Sequence, residues 1–212
     1  MNSKLNLVEQ YVRKHLENDH TGHNMSHIRR VVRTSQKLLK RIDADSLITL
    51  AAAYLHDVID DKLTDDPKQQ QVELKQHLVQ WKFTPFQIKM IFQIITQMSF
   101  SKNLIHHYQL PIEGQIVQDA DRLDAIGVIG IARAFYYAGH KGESMYNPQI
   151  PIRSKMTKQQ YRHQPTTTYN HFYEKLLKLK NQMNTEPAKR IAEKRNQEMK
   201  MFLKAFKNEW NG

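Results

Sequence analysis

Apolar residues recur at three- and four-residue spacing through almost all of this 212-residue chain, and no stretch alternates apolar and polar residues as a half-buried strand would. That period predicts an all-α fold. A first amphipathic stretch covers Leu5 to Leu16. Ser26 is placed to cap a second helix that reaches about Lys40, with Ile28, Val31, Val32, Ser35, Leu38 and Leu39 on one face. Asp45 is placed to cap a third, through Leu47, Leu50, Ala51, Tyr54, Leu55 and Val58, where the alanines at 51–53 allow close helix contact. Pro67 interrupts the pattern before a fourth helix at Gln69 to Val79, and Thr84-Pro85 supply the N-cap and first position of a fifth. After an irregular stretch, IVQDADRLDAIG reads as a helix that runs into, or kinks before, IGIARAFYYAG. Gly139 to Thr168 holds three prolines and reads as an irregular insert, of a length that is usually functional or mobile, such as a lid. Tyr169 to Met183 and Glu186 to Trp210 close the chain, with Thr185 as cap of the second. The expectation is one domain over 1–212, with a core at about 20–138, the insert at about 139–168 and C-terminal helices at about 169–210.

The absence of Cys excludes disulfides, thiolate metal sites, iron–sulfur clusters and Cys nucleophiles, and fits a reducing, cytoplasmic setting. No run of 18 apolar residues marks a membrane span, and MNSKLNLVEQY lacks the apolar core of a signal peptide. The formal net charge of +11 favours anionic partners, either a small phosphorylated substrate or, as the disfavoured reading, nucleic acid. Gly127 and Gly130 lie in an apolar stretch, but no Lys-Ser/Thr pair follows them, so a phosphate-binding P-loop is rejected in favour of close helix packing.

Chemistry concentrates at His56-Asp57, which closes the apolar run AAAYLHDVIDD. Imidazole and carboxylate suit divalent metals, and a polar pair there is costly unless paired or metal-bound. Neighbouring side chains on a helix diverge by about 100°, so the two do not form a simple clip on one ion unless they flank a cleft. His27 near the start of the second helix is a further candidate. So is Asp121, which shares a face with Asp124 in a segment where three carboxylates crowd into QDADRLD. Such crowding calls for a cation or a guanidinium, and Arg122 offers the latter.

The order His27, His56-Asp57, Asp121 resembles the H…HD…D pattern of the HD superfamily of metal-dependent phosphohydrolases. The ADRL block at 120–123 is similar to the block that supplies that family's last aspartate, which favours Asp121 over Asp124. GHNMSHIRRV, AAYLHDVIDDK, IVQDADRLDAIGVIGIARAF, HFYEKLLKL and AEKRNQEMKMFLKAFKNEW together look like a small bacterial branch that includes nucleotide pyrophosphohydrolases. The resemblance implies an all-α HD-domain helical bundle and a divalent metal, Mn²⁺ first and Mg²⁺, Co²⁺ or Fe²⁺ as alternatives. It implies His27, His56, Asp57 and Asp121 as ligands and Asp60 as an acid that handles water beside Asp57. His23, Arg30, Lys62, His171 and Lys175 are the candidate substrate contacts. Where the family often has G-H-D, this chain has Gly22-His23-Asn24, which alters a contact behind the metal ligands. The implied reaction converts nucleoside or deoxynucleoside triphosphates to monophosphate and pyrophosphate. The alternatives are a phosphomonoesterase or phosphodiesterase of the same fold and, from another class, a non-enzymatic basic helical nucleic-acid-binding protein. No membrane partner is expected, and a homodimer is compatible with the sequence.

Overall fold

The computed structural model describes residues 3–16, 24–59, 66–98, 108–153, 164 and 166–212. Every regular element among them is helical, and none is a strand. The helices are α1 (Ser3–His15), α2 (Met25–Leu39), α3 (Ser46–Leu55), α4 (Pro67–Gln80), α5 (Pro85–Gln97), α6 (Ile112–Asp124), α7 (Gly127–Lys141), α8 (Thr168–Glu174) and α9 (Glu186–Asn211), with a 3₁₀ segment at Leu176–Gln182. No helix among the described residues is long and apolar enough to cross a membrane. The chain divides into two compact units, Met1–Ala120 and Asp121–Gly212.

In the first unit α3 is central. All its residues from Ile48 to Leu55 are buried, as expected for a helix apolar on every side, and it packs against α1, α2 and α5. Ala51, Ala52 and Ala53 are fully buried and have no bulk to hold those neighbours away. Asp45 caps α3 as anticipated, accepting from the backbone N–H of Leu47 and Ile48 at 2.8 and 3.0 Å. The cap of α2 is not Ser26 but Asn24, whose Oδ1 accepts from Ser26 and His27, so that α2 starts two residues earlier. Pro67 does not merely end a pattern. It opens α4 behind the Asp66 cap, in the one turn where a missing N–H costs nothing. Thr84 and Gln87 form a reciprocal capping box at the start of α5.

In the second unit, α9 packs on α7 and on the 3₁₀ segment around a cluster of Phe135, Phe172, Phe202 and Phe206. The chain breaks between α6 and α7 rather than running on, and the two glycines there have different tasks. Gly127 adopts φ +76°, a region that favours glycine, and a Cβ at Gly130 would lie 2.3 Å from the carbonyl oxygen of Ala125. The packing partner of Gly130 is thus backbone of the preceding turn, whereas a Cβ at Gly127 would lie 2.8 Å from the Arg195 side chain of α9, the close helix packing that the sequence suggested. α7 runs to Lys141, past the expected start of the insert. It ends in a Schellman motif: Gly142 is left-handed, its N–H donates to Gly139, and Glu143 N–H donates to Ala138. The single helix expected over Tyr169 to Met183 is instead a short α-helix and a 3₁₀ turn that meet at Lys175.

The described parts of the insert are tied to α8. Backbone N–H groups of Thr168 and Tyr169 donate to Ser144 and Met145, and Asn170 Nδ2 donates to Ile150 O at 2.9 Å. Arg153 reaches Glu174 through its backbone N–H, Nε and a terminal nitrogen, at 3.1, 2.8 and 2.6 Å. Thr166 donates to the same carboxylate at 3.1 Å. Tyr146 packs on Tyr169 and Trp210, which makes it a packing residue of this unit.

Candidate metal centre

Three potential ligands converge in the first unit: His27, His56 and Asp57, all buried. His27 sits in the first turn of α2, inward-facing because it shares the stripe of Ile28, Val31 and Ser35. α3 ends at Leu55, and His56, still in right-handed helical backbone, and Asp57 follow in a turn; their side chains reach one point although adjacent helical side chains were expected to diverge. His27 Nε2 lies 3.2 Å from His56 Nε2 and 3.4 Å from Asp57 Oδ2, and His56 Nε2 lies 3.4 Å from Asp57 Oδ1.

These distances decide whether a metal fits. Metal–ligand bonds of about 2.1 Å place neighbouring ligand atoms about 3.0 Å apart at a right angle and about 3.4 Å apart at a tetrahedral angle. The observed separations span that interval. The tautomer agrees. His56 Nδ1 is 2.9 Å from Ala53 O, and a carbonyl only accepts, so Nδ1 carries the hydrogen and Nε2 of the neutral ring keeps its lone pair toward the cluster. Two imidazole nitrogens and a carboxylate facing one point fit a divalent cation.

A polar contact set on other sides of these helices was not anticipated. Glu9 of α1 accepts from Tyr54 of α3 at 3.2 Å, pairs with Arg13 at 3.0 Å and lies 3.7 Å from Arg29 of α2. Burial and the neighbouring Glu9 push the Tyr54 phenol up to about 12, so it stays a neutral donor. Tyr54 and Arg29 each stand two residues from a histidine of the cluster. The contacts join helices distant in sequence, and no local periodicity signals them.

Of the remaining candidates, Arg30 is half-buried on α2, three residues after His27 and on the same side of the helix. Asp121 is half-buried in the last turn of α6, in the second unit. Its neighbour Asp124 pairs with Arg133 of α7, while Arg122, the partner suggested by sequence, reaches Gln182 O. His171 and Lys175 bracket the end of α8, where Lys175 N–H donates to His171 O at 3.0 Å. Burial first, then the charge of Lys175, hold the His171 ring down at about 3, so it is neutral near pH 7. His23, Asp60 and Lys62 lie outside the described residues.

Residues 24–126 match the model of the HD domain, a span that contains all three clustered ligands and Asp121. Bacillus subtilis YpgQ, an uncharacterised protein, is 35% identical over 97% of this chain and 93% of its own length. The chain belongs to the HD-domain family. A crystal structure of a Lactobacillus plantarum protein is similar to this HD-domain chain with a TM-score of 0.89 and 47% identity, covering 100% of this chain and 98% of that one. An HD-superfamily hydrolase from Bacillus thuringiensis gives 0.77 and 39%, covering 99% and 97%. YpgQ crystallised in complex with ADP gives 0.78 and 33%, covering 97% of each chain. The His27–His56–Asp57 cluster is therefore the metal-binding hydrolase site of an HD domain.

Proposed function

We propose that this HD-domain protein hydrolyses nucleoside or deoxynucleoside triphosphates to the monophosphate and pyrophosphate, with Mn²⁺ as the ion of choice and Mg²⁺, Co²⁺ or Fe²⁺ as substitutes. The observation that carries the reading is the convergence of His27, His56 and Asp57 at separations of 3.2–3.4 Å, joined to full-length similarity with a relative crystallised with ADP. Asp121 completes the ligand set by the family pattern. A bound divalent ion supplies Lewis acidity: it lowers the pKa of water and offsets charge on the phosphoryl oxygens.

The protein's own groups do the rest. His56 is held in one tautomer by Ala53 O, so its Nε2 needs no reorganisation to act as a ligand. Asp60 accepts the proton of the attacking water. Water adds to the α-phosphorus, the bond to the α–β bridging oxygen breaks, and pyrophosphate leaves with the electron pair. Arg30, Lys62, His23 and Lys175 are the contacts for phosphate oxygens, and His171, neutral at working pH, contributes a hydrogen bond rather than a charge.

The test is product analysis of dATP and GTP turnover by ³¹P NMR in ¹⁸O-labelled water, with each metal added to chelator-treated protein. Pyrophosphate together with ¹⁸O in the monophosphate is expected. Release of orthophosphate, or label in pyrophosphate, would assign the chemistry to another phosphate bond. Phosphomonoester hydrolysis without triphosphate turnover would favour the phosphatase reading.

A further inference from the structure

The second unit contains a groove of about 410 Å³ that no part of the proposed hydrolysis uses. One wall is Tyr169, Tyr173 and Leu177, at four-residue steps along α8 and the turn after it. The other is a stripe of α9: Lys200, Leu203, Lys204, Lys207 and Asn208. The lysines stand at i, i+4 and i+7, so they line one side of the helix within about 10 Å of its length. None of these three ammonium groups pairs with a carboxylate among the described residues, and no acidic residue lines the groove. Elsewhere on α9, Lys189 pairs with Glu186 and Glu193 pairs with Lys180.

The aromatic wall is matched to an acceptor. The hydroxyls of Tyr169 and Tyr173 are 3.2 Å apart, so one donates to the other and the second hydrogen remains to be given away. Burial raises the Tyr169 phenol and keeps it protonated at working pH. Tyr173 is half-buried, so part of its ring is available for stacking, and Leu177 supplies apolar surface beside it. His171 is two residues from each tyrosine, about 200° around α8, so the groove faces away from the side that carries the proposed substrate contact.

We propose that this groove is a second binding site, for a nucleoside polyphosphate: the three lysines and the phenol hold the phosphates, and Tyr173 and Leu177 take the base. The volume is that of a small-ligand site. Three cations within about 10 Å suit a di- or triphosphate better than the extended track that a nucleic-acid strand needs. The site binds its ligand without a divalent ion, since its charged groups are all cations and no carboxylate lines it, and it contains none of the His27–His56–Asp57 cluster.

Trp210 reports on it. It stacks on Phe206 at 5.7 Å, and Phe206 packs on Tyr169 at 5.8 Å. In a Trp81→Phe background Trp210 is the sole tryptophan. Titration of chelator-treated protein with ADP is expected to change its fluorescence saturably, with pyrophosphate competing and adenosine competing weakly. Combined Lys200→Gln, Lys204→Gln and Lys207→Gln should raise the ADP Kd more than tenfold, Lys204→Glu alone should raise it severalfold, and His56→Ala should leave it unchanged. No saturable binding, an unchanged Kd in the lysine variants, or loss of binding in His56→Ala would overturn the site. A single-stranded oligonucleotide that binds through these lysines more than tenfold tighter than ADP would overturn the choice of ligand. Hydrolysis is measured separately, so failure here leaves the reaction assigned to the metal centre standing or falling on its own products.

Discussion

Arg153→Met removes the cation from a carboxylate that has no exposed surface. The Glu174 side chain is 0% exposed and that of Arg153 is 16% exposed, so water replaces the lost guanidinium poorly. Two side-chain hydrogen bonds vanish, at 2.8 and 2.6 Å, while the backbone N–H of residue 153 and the Thr166 hydroxyl still donate. Breaking a buried pair from one side costs about 3–5 kcal/mol, and the two surviving donors place this case near about 3 kcal/mol. For a chain of this size that is a fall in Tm of about 6–12 °C. Burial alone would raise the Glu174 carboxyl; the Arg153 hydrogen bonds and charge outweigh it and hold the group below its ordinary 4.5. A depressed folded pKa means that the clamp's stability is fully present above pH 4.5 and is lost as pH falls through the lower folded value. In Arg153→Met the carboxyl loses that support and rises, so acid relieves the defect. Calorimetric melts of both proteins at pH 7 and pH 4.5 should therefore show the larger gap at pH 7, and Glu174→Gln added to Arg153→Met should recover part of it. A shift below about 2 °C at pH 7, or a gap that widens in acid, would refute the account of Glu174 as a buried charge.

Three other outcomes follow from the geometry. Mn²⁺ at 100 times its Kd should stabilise the protein by about 2.7 kcal/mol, and His56→Ala should abolish that rise in thermal scans even though its own melting is cooperative. His171, with its folded pKa lowered to about 3 from 6.5, binds its proton more readily in the unfolded chain, so its contribution to stability is full above pH 6.5 and is lost as pH falls toward 3. His171→Gln should flatten the stability profile across that window in denaturant titrations. Gly130→Ala should destabilise by at least about 1–3 kcal/mol, since its methyl would meet Ala125 O at 2.3 Å, whereas Gly139→Ala, with nothing within 4 Å, should be neutral or slightly stabilising.

The helical period placed most elements because it reflects burial on one face, which α2 shows without interruption, while α3 is buried all round. Caps were legible where the residue meets its own helix, as at Asp45 and Thr84, and misassigned where two candidates compete, as Ser26 and Asn24 do. The short 3₁₀ turn after Glu174 was hidden, because LLKLK has the same apolar spacing in either helix type over so few residues. At the site, residue identity named His27, His56 and Asp57, but their convergence depends on α2 packing against α3, which no local pattern announces. The Arg153–Glu174 and Glu9–Tyr54 contacts escaped for a different reason: each joins elements far apart in sequence, and pairing of that kind leaves no periodic trace.

The end of α3 at Leu55 also has an electrostatic consequence. A helix carries roughly half a negative charge at its C-terminus, from carbonyls that lack a partner in the next turn. His56 and Asp57 stand at that pole, and the Ala53 carbonyl that orients the His56 ring is one of the groups that create it. The backbone thus presents negative potential to a cation at the same point where the side chains present lone pairs. Substitutions that extend α3 by one turn would carry the pole past the site and weaken metal binding through a change that touches no ligand.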